Sequence, residues 1–300
     1  MNNMPAISGK SVKLFGRHLF YFKFSKVLVM FFLTALVCFM MLPLVYLVCT
    51  AFKPLDELYL FPPRFFVSRP TFSNFTDLFA AFDSATVPFT RYIFNSVFVT
   101  VINVVLTVFV SSAAAYGLVK HKPKGGNIIF AFILAALMFS PHVTTISNYL
   151  IVRTLGLVDT YAALIVPKIA VAYNMFLVKQ FLEQMPDAYL EAARLDGANE
   201  WQLYTKMVMP FLRPACATLV VFSFVSNWND YFSVVVFTTR LELKTLPLAI
   251  QNIAGIGAAT LTTAGAMAAA TFITTLPTII IFTAMQTRVM STMAHSGIKG

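Results

Sequence analysis

The chain has 300 residues, of which 58% are hydrophobic and only 11% charged, with a mean hydropathy of +0.77. A soluble domain carries roughly 25% charged residues, so this chain cannot cover its apolar surface with its own polar groups, and lipid must cover the rest. The net charge of +10 does not mark a nucleic-acid module: five of the 22 basic residues precede the first apolar run, three crowd one loop (Lys120, Lys122, Lys124), and no basic patch interleaves with aromatic side chains.

Residues 1–26 form a basic leader (Lys10, Lys13, Arg17, Lys23, Lys26). The first apolar run, 27–51, exceeds the 7–15 residues of a signal-peptide core and lacks a small-x-small cleavage site, so it is expected to be a retained helix. Residues 52–90 are polar and punctuated by Pro54, Pro62, Pro63, Pro70 and Pro88, which predicts an ordered excursion too short for a core of its own. Five further apolar runs follow, near 92–118, 128–146, 161–181, 211–236 and 265–286, within a 91–290 core; residues 291–300 form a tail. Crossing about 30 Å of hydrocarbon takes about 20 helical residues. The reading is therefore an all-α polytopic membrane protein with six transmembrane helices; period-2 barrel alternation is absent, and backbone groups in lipid must pair internally.

Counting Lys and Arg orients the chain. The two ends, the 119–127 loop and the 179–213 segment hold fourteen of the 22, and the opposite loops hold seven. Both termini are expected on the cytoplasmic side. Lys168, well inside a span, is the one left over. Cys38, Cys49 and Cys216 lie in or beside apolar runs without C-x-x-C spacing, which reads as buried inert thiols. No metal-ligand spacing, paired carboxylates or Ser-His-Asp arrangement is present, and no Gly-x-x-x-x-Gly-Lys-Ser/Thr phosphate loop exists, so any ATP used must be bound by another polypeptide.

The segment between spans four and five is the most informative. Pro186 and Asp187 suit a helix start, and the Ala-rich stretch through Leu195 favours helix. Gly197 permits the left-handed residue that ends it, and Asn199 with Gln202 three residues on forms a capping box for a second helix presenting Trp201, Leu203 and Tyr204. A short, Ala-lined helix facing the cytoplasm needs cover, either from lipid headgroups or from a partner protein.

Several polar residues sit inside the predicted spans. Lys168 lies about 12 Å into span four, at 1.5 Å per residue, where an unpartnered ammonium costs at least ~3 kcal/mol. Two readings stand: Pro167 frees the carbonyls near Ala163 and Leu164 for the ammonium, or Lys168 lines a path that favours an acidic substrate. His142 in span three, Asn174 in span four, and Asn229 and Asp230 in span five are candidate pathway or packing groups. Asp230 is the only acidic residue in a predicted span, weak support for an ion-coupled secondary transporter, which usually needs buried carboxylates and inverted repeats.

Glu191-Ala192-Ala193, Asp196-Gly197-Ala198, Trp201, Met209-Pro210 and Pro214 resemble the EAA signature of binding-protein-dependent ABC importer permeases, with Met209 where Leu is usual. Asn95-Ser96, Val99-Thr100, Trp228-Asn229-Asp230, Leu246-Pro247-Leu248 and the closing Ser296–Gly300 are similar to the carbohydrate-uptake subgroup of that family. The resemblance implies a type I ABC importer transmembrane domain in a bacterial cytoplasmic membrane. It makes residues 186–205 a coupling helix that docks on a separate ATPase through Glu191, Ala192, Ala193, Asp196, Gly197, Ala198 and Trp201. It also implies a loop at 238–263 reaching an extracytoplasmic sugar-binding protein through Leu246, Pro247, Gln251 and Asn252, and an ATPase-facing tail at Gly297 and Lys299. The implied partners are a second permease subunit, two ATPase subunits carrying ATP and Mg, and the sugar-binding protein. This chain itself is expected to bind no cofactor and no nucleic acid.

Overall fold

The computed structural model describes residues 11–83, 87–257 and 261–297, and among these no strand occurs. The helices, in order, are α1 (Ser11–Ala51), α2 (Leu55–Leu58), α3 (Ser73–Asp83), α4 (Phe89–Lys120), α5 (Gly126–Ala136), α6 (Pro141–Thr154), α7 (Tyr161–Ile169) and α8 (Ala172–Leu182). Then come α9 (Ala188–Leu195), α10 (Glu200–Gln202), a π-helical stretch (Leu203–Val208), α11 (Met209–Phe211), α12 (Arg213–Trp228), α13 (Phe232–Phe237), a 3₁₀ turn (Leu241–Leu243), α14 (Leu246–Gly257) and α15 (Leu261–Gly297).

Four helical stretches among the described residues are long and apolar enough to cross a membrane: Lys26–Ala51, Phe89–Lys120, Tyr161–Leu182 and Ala264–Thr287. A fifth arises if Glu200–Phe211 and Arg213–Trp228, which meet at 76°, count as one bent span. Two of the six expected spans are therefore corrected. The run at 128–146 is not one helix: α5 ends at Ala136, Ser140 is extended (φ −66°, ψ 136°) and α6 begins at Pro141. Proline has no N–H to donate and disfavours helix in the residue before it, so it opens a helix here instead of continuing one. The run at 211–236 is shortened at both ends, because Pro214 cannot donate to the carbonyl of Pro210 and the chain leaves helix at Asn229 before α13.

Helix α4 is the central member, packed on α12, α8 and α7. One core lies around its C-terminal half and the 185–212 segment, with Leu182, Leu190, Leu203, Val208 and Leu212 almost fully buried. A second joins Val99, Val152, Ala163, Leu164, Val234, Phe237 and Leu248. The end carrying 185–208 is called the lower end below, and the end carrying 238–248 the upper end.

Hydrogen bonds hold the 52–83 excursion to the end of α1 and to itself. Asn74 Nδ2 donates to the carbonyls of Ala51 (2.9 Å) and Lys53 (2.7 Å), which satisfies groups that the end of α1 leaves open. Buried Glu57 accepts from the backbone N–H of Ser68 and of Arg69, each at 3.0 Å. Gly265 of α15 lies so close to Asn74 that a Cβ there would fall on the side-chain amide.

Candidate coupling and pathway site

The lower end carries the helix–turn–helix that the sequence predicts. Helix α9 ends at Leu195, and Gly197 takes the left-handed conformation (φ 84°). Asn199 closes a reciprocal cap: its Oδ1 accepts from Gln202 N–H at 2.8 Å, and its own N–H donates to Gln202 Oε1 at 2.9 Å. Leu190, Leu203 and Tyr204 face the core, whereas Leu195 is 90% exposed and Trp201 63%. Glu191, Ala192, Asp196 and Gly197 are exposed beside them, with Ala193 and Ala198 partly covered against the core. The turn thus has a buried root and an apolar, acid-flanked tip.

Polar bonds from α4 hold that root. Tyr116 Oη donates to Glu200 Oε2 at 2.7 Å, Arg194 reaches Glu200 Oε1 at 3.2 Å, and Ser112 Oγ lies 2.7 Å from Tyr204 Oη. Lys120, its side chain almost wholly covered, donates to the Met185 carbonyl (2.5 Å) and to Asp187 (2.7 Å); Lys122 adds a contact to Asp187 at 3.2 Å. The hydrogen bonds from Lys120 and then Lys122 hold the Asp187 carboxyl below its ordinary range.

The same helix grips the upper end. Buried Asn95 donates to the carbonyls of Glu242 (2.7 Å) and Lys244 (2.8 Å) and accepts from Tyr161 Oη (2.7 Å); Ser96 Oγ accepts from Leu246 N–H at 2.8 Å. Asp159 receives Thr239 Oγ1 (2.6 Å) and the Thr239 and Arg240 N–H groups, and these bonds, the Thr239 hydroxyl first, lower its pKa. Asn95 and Tyr116 stand about 32 Å apart along α4 at 1.5 Å per residue, so one helix ties both ends together. Its buried polar faces, Asn95, Ser96, Thr100, Asn103, Thr107, Ser111 and Ser112, form a stripe along its length.

Between the ends, Lys168 and Asp230 form an ion pair, with 22% and 16% of their side chains exposed. This corrects the expectation that the ammonium meets carbonyls freed by Pro167: Asn103 Nδ2 donates to the Leu164 carbonyl at 3.2 Å, and Thr107 Oγ1 to the Lys168 carbonyl at 3.2 Å. The other Asp230 oxygen accepts from Ser233 N–H at 3.1 Å. Asp230 lies in the break between α12 and α13 rather than within a span.

The remaining sequence candidates are spread out. Asn174 is buried and its Nδ2 lies 3.3 Å from Ser223 Oγ, a contact between α8 and α12. Asn229 is exposed and, with Pro247, Ile250, Thr271, Thr274, Thr275 and Thr278, lines a cleft of about 270 Å³. Leu246 is fully buried, while Gln251 and Asn252 are exposed. The side chain of His142, the surroundings of Gly297 and the whole of Lys299 lie outside what the structure describes. Sequence reasoning missed the Tyr116–Glu200 and Lys120–Asp187 ties, which join residues 84 and 67 apart and leave no local pattern. It also missed the threonine stripe of α15, although the spacing of 271, 274, 275 and 278 marks one helical face.

The sequence profile of the binding-protein-dependent transport system inner membrane component family matches residues 107–294, which include the ion pair and the helix–turn–helix. The chain belongs to this family. It is a multi-pass membrane component of a transport system. This inner membrane component is 32% identical over 203 residues to the polygalacturonan/rhamnogalacturonan transport system permease protein YtcP of Bacillus subtilis, covering 68% of each chain. It is 30% identical over 225 residues to the lactose transport system permease protein LacG of Rhizobium radiobacter, covering 75% of this chain and 80% of the relative. Among solved structures, a bacterial ABC transporter involved in the import of the acidic polysaccharide alginate contains a chain of the same fold. The two superpose with a TM-score of 0.74 over 94% of this chain and 99% of that one, at 23% identity.

Proposed function

We propose that this inner membrane component is one of two permease subunits of an ATP-driven importer of an oligosaccharide. The observation that carries the reading is the lower turn: Leu195 and Trp201 protrude from a segment whose root is fixed by Leu190, Leu203 and the Tyr116–Glu200 bond. An exposed apolar tip on a rigid base is suited to dock into a cleft of another protein and to transmit its motion. On this reading the lower end and both termini are cytoplasmic. The tip seats on one of two ATPase subunits that hold ATP and Mg, and the 297–300 tail lies near them. This chain supplies no nucleotide site and no catalysis of its own.

The upper loop then faces an extracytoplasmic saccharide-binding protein, with Pro247, Gln251 and Asn252 toward the surface and Leu246 anchoring the loop from behind. ATP binding draws the two coupling turns together and opens the path outward; hydrolysis resets it. The saccharide assignment is supported by the transport systems that the YtcP and LacG relatives are named for. An ion-coupled carrier is disfavoured, because the one acidic residue of the predicted spans, Asp230, is already paired with Lys168. The test is reconstitution of the chain with its partner subunits in proteoliposomes. Saccharide uptake should require internal ATP and the binding protein, and uptake driven by an ion gradient without ATP would overturn the reading.

A further inference from the structure

Two helices are interrupted at the same level of the molecule, and the ion pair joins the interruptions. Helix α7 ends at Ile169, Ala170 leaves helical geometry (φ −107°, ψ 81°), and α8 restarts at Ala172. Helix α12 ends at Trp228, and α13 starts at Phe232. Lys168 sits in the last turn of α7 and Asp230 in the α12–α13 break.

The pieces on either side of these breaks belong to different cores. Ala163 and Leu164 of α7 and Val234 and Phe237 of α13 pack together in the upper core with Val99, Val152 and Leu248. Met175, Val178 and Leu182 of α8 and Leu219 of α12 pack in the lower one, while Trp228 at the end of α12 packs in a third with Leu246 and Ala249. A segment that changes core at a backbone break can turn about that break without tearing either core, because close-packed interiors move as blocks and the few residues between them absorb the rotation.

The pair has the burial that a reversible fastening needs. A fully enclosed ion pair costs several kcal/mol per charge to separate, whereas a fully exposed one holds nothing. Lys168 and Asp230 fall between, at 22% and 16% exposed, so neither charge is sealed in its place. Both are also set by their surroundings: Thr107 holds the Lys168 carbonyl, and Ser233 N–H holds the second Asp230 oxygen.

We propose that the Lys168–Asp230 pair is the latch of a hinge, closed in this structure, which must open for the upper halves of the two interrupted helices to turn on the lower core during transport. Lys168 and Asp230 are positioning residues on this account and touch no substrate. The proposal rests on the importer reading for its cycle and for the hydrolysis arm of its test, but not for the cross-linking arm.

The test uses the whole transporter in proteoliposomes. Lys168→Met and Asp230→Asn should each raise ATP hydrolysis in the absence of binding protein by about fivefold or more, the range of one coupling interaction. Lys168→Arg, and the exchanged pair Lys168→Asp with Asp230→Lys, should bring hydrolysis back toward the wild-type level. Single variants that keep wild-type hydrolysis, or an exchanged pair no better than either single, would overturn the latch. A second arm covers variants that fail to assemble. Lys168→Cys with Asp230→Cys, in a background of Cys38→Ser, Cys49→Ser and Cys216→Ala, is bridged by a short reducible thiol cross-linker. Uptake, scored with whatever energy source drives it, should stop on bridging and return on reduction. Uptake undiminished with the bridge formed would show a contact that never opens. A wild-type complex that imports nothing with ATP but something with an ion gradient would sink the importer reading alone, and the bridging arm would still decide the latch.

Discussion

At the scale of single residues, the upper end depends on polar groups that have one geometry available. Asn95 uses both ends of its amide, on two carbonyls and one tyrosine hydroxyl, and is fully buried. Asn95→Ala removes three part-buried hydrogen bonds, worth about 0.5–1.5 kcal/mol each. We expect a clear drop in the thermal stability of the purified complex, together with loss of the stimulation of ATP hydrolysis by the binding protein; stimulation at wild-type strength would show that the 242–246 loop holds itself. Gly265 is constrained by space. Gly265→Ala sets a methyl against the Asn74 amide that caps α1, an overpacking worth about 1–3 kcal/mol. The melting temperature should fall, and Asn74→Ala in the same chain should relieve the clash while losing the cap. The residue that Gly265 approaches could not be read from the sequence, because Asn74 lies almost two hundred positions away.

Elements show why some of the sequence reading carried and some did not. The 186–202 helix–turn–helix was legible because every signal for it is local: Pro186, Gly197, and the Asn199/Gln202 box act within a few residues of themselves. The 128–146 run is broken where one helix was expected, because hydropathy averages over a window and does not feel one missing N–H at Pro141, whereas the backbone does. The π-helical stretch Leu203–Val208 and the 76° bend before α12 had no sequence cue beyond the nearby Pro210 and Pro214. On the element that did carry, the exposed tip gives a clean prediction. Leu195→Asp and Trp201→Ala change surface positions, so folding stability should move by no more than about 0.5 kcal/mol. Co-purification with the ATPase subunits should nevertheless fall about tenfold or more, since an anchor residue is worth about 2 kcal/mol or above. Retained co-purification would place the docking surface elsewhere.

On the scale of the whole molecule, α4 links the two ends through side chains, and the lower tie includes the Lys120–Asp187–Lys122 cluster. The folded Asp187 carboxyl titrates below its unfolded value, so the tie is complete above the unfolded pKa and is lost only as pH falls through the lowered folded one. Between pH 5 and 8 it should therefore contribute a constant amount. Wild type and Asp187→Asn should differ by the same margin across that window and converge below about pH 4, in pH-dependent thermal unfolding. A difference that changes between pH 6 and 8 would assign the tie to another titrating group.

The sequence by itself determined the solvent of this protein, its helical class and its lower helix–turn–helix, since hydropathy, charge bias and capping are properties of a chain and its near neighbours. It also singled out Lys168 and Asp230, one as a charge deep in a span and the other as the only acidic residue of the predicted spans. Only the tertiary structure decided that they answer one another, and that both sit where helices break. The reason is physical: an ion pair between residues 62 apart is set by how two helices pack, and packing is a property of surfaces that no stretch of sequence carries alone.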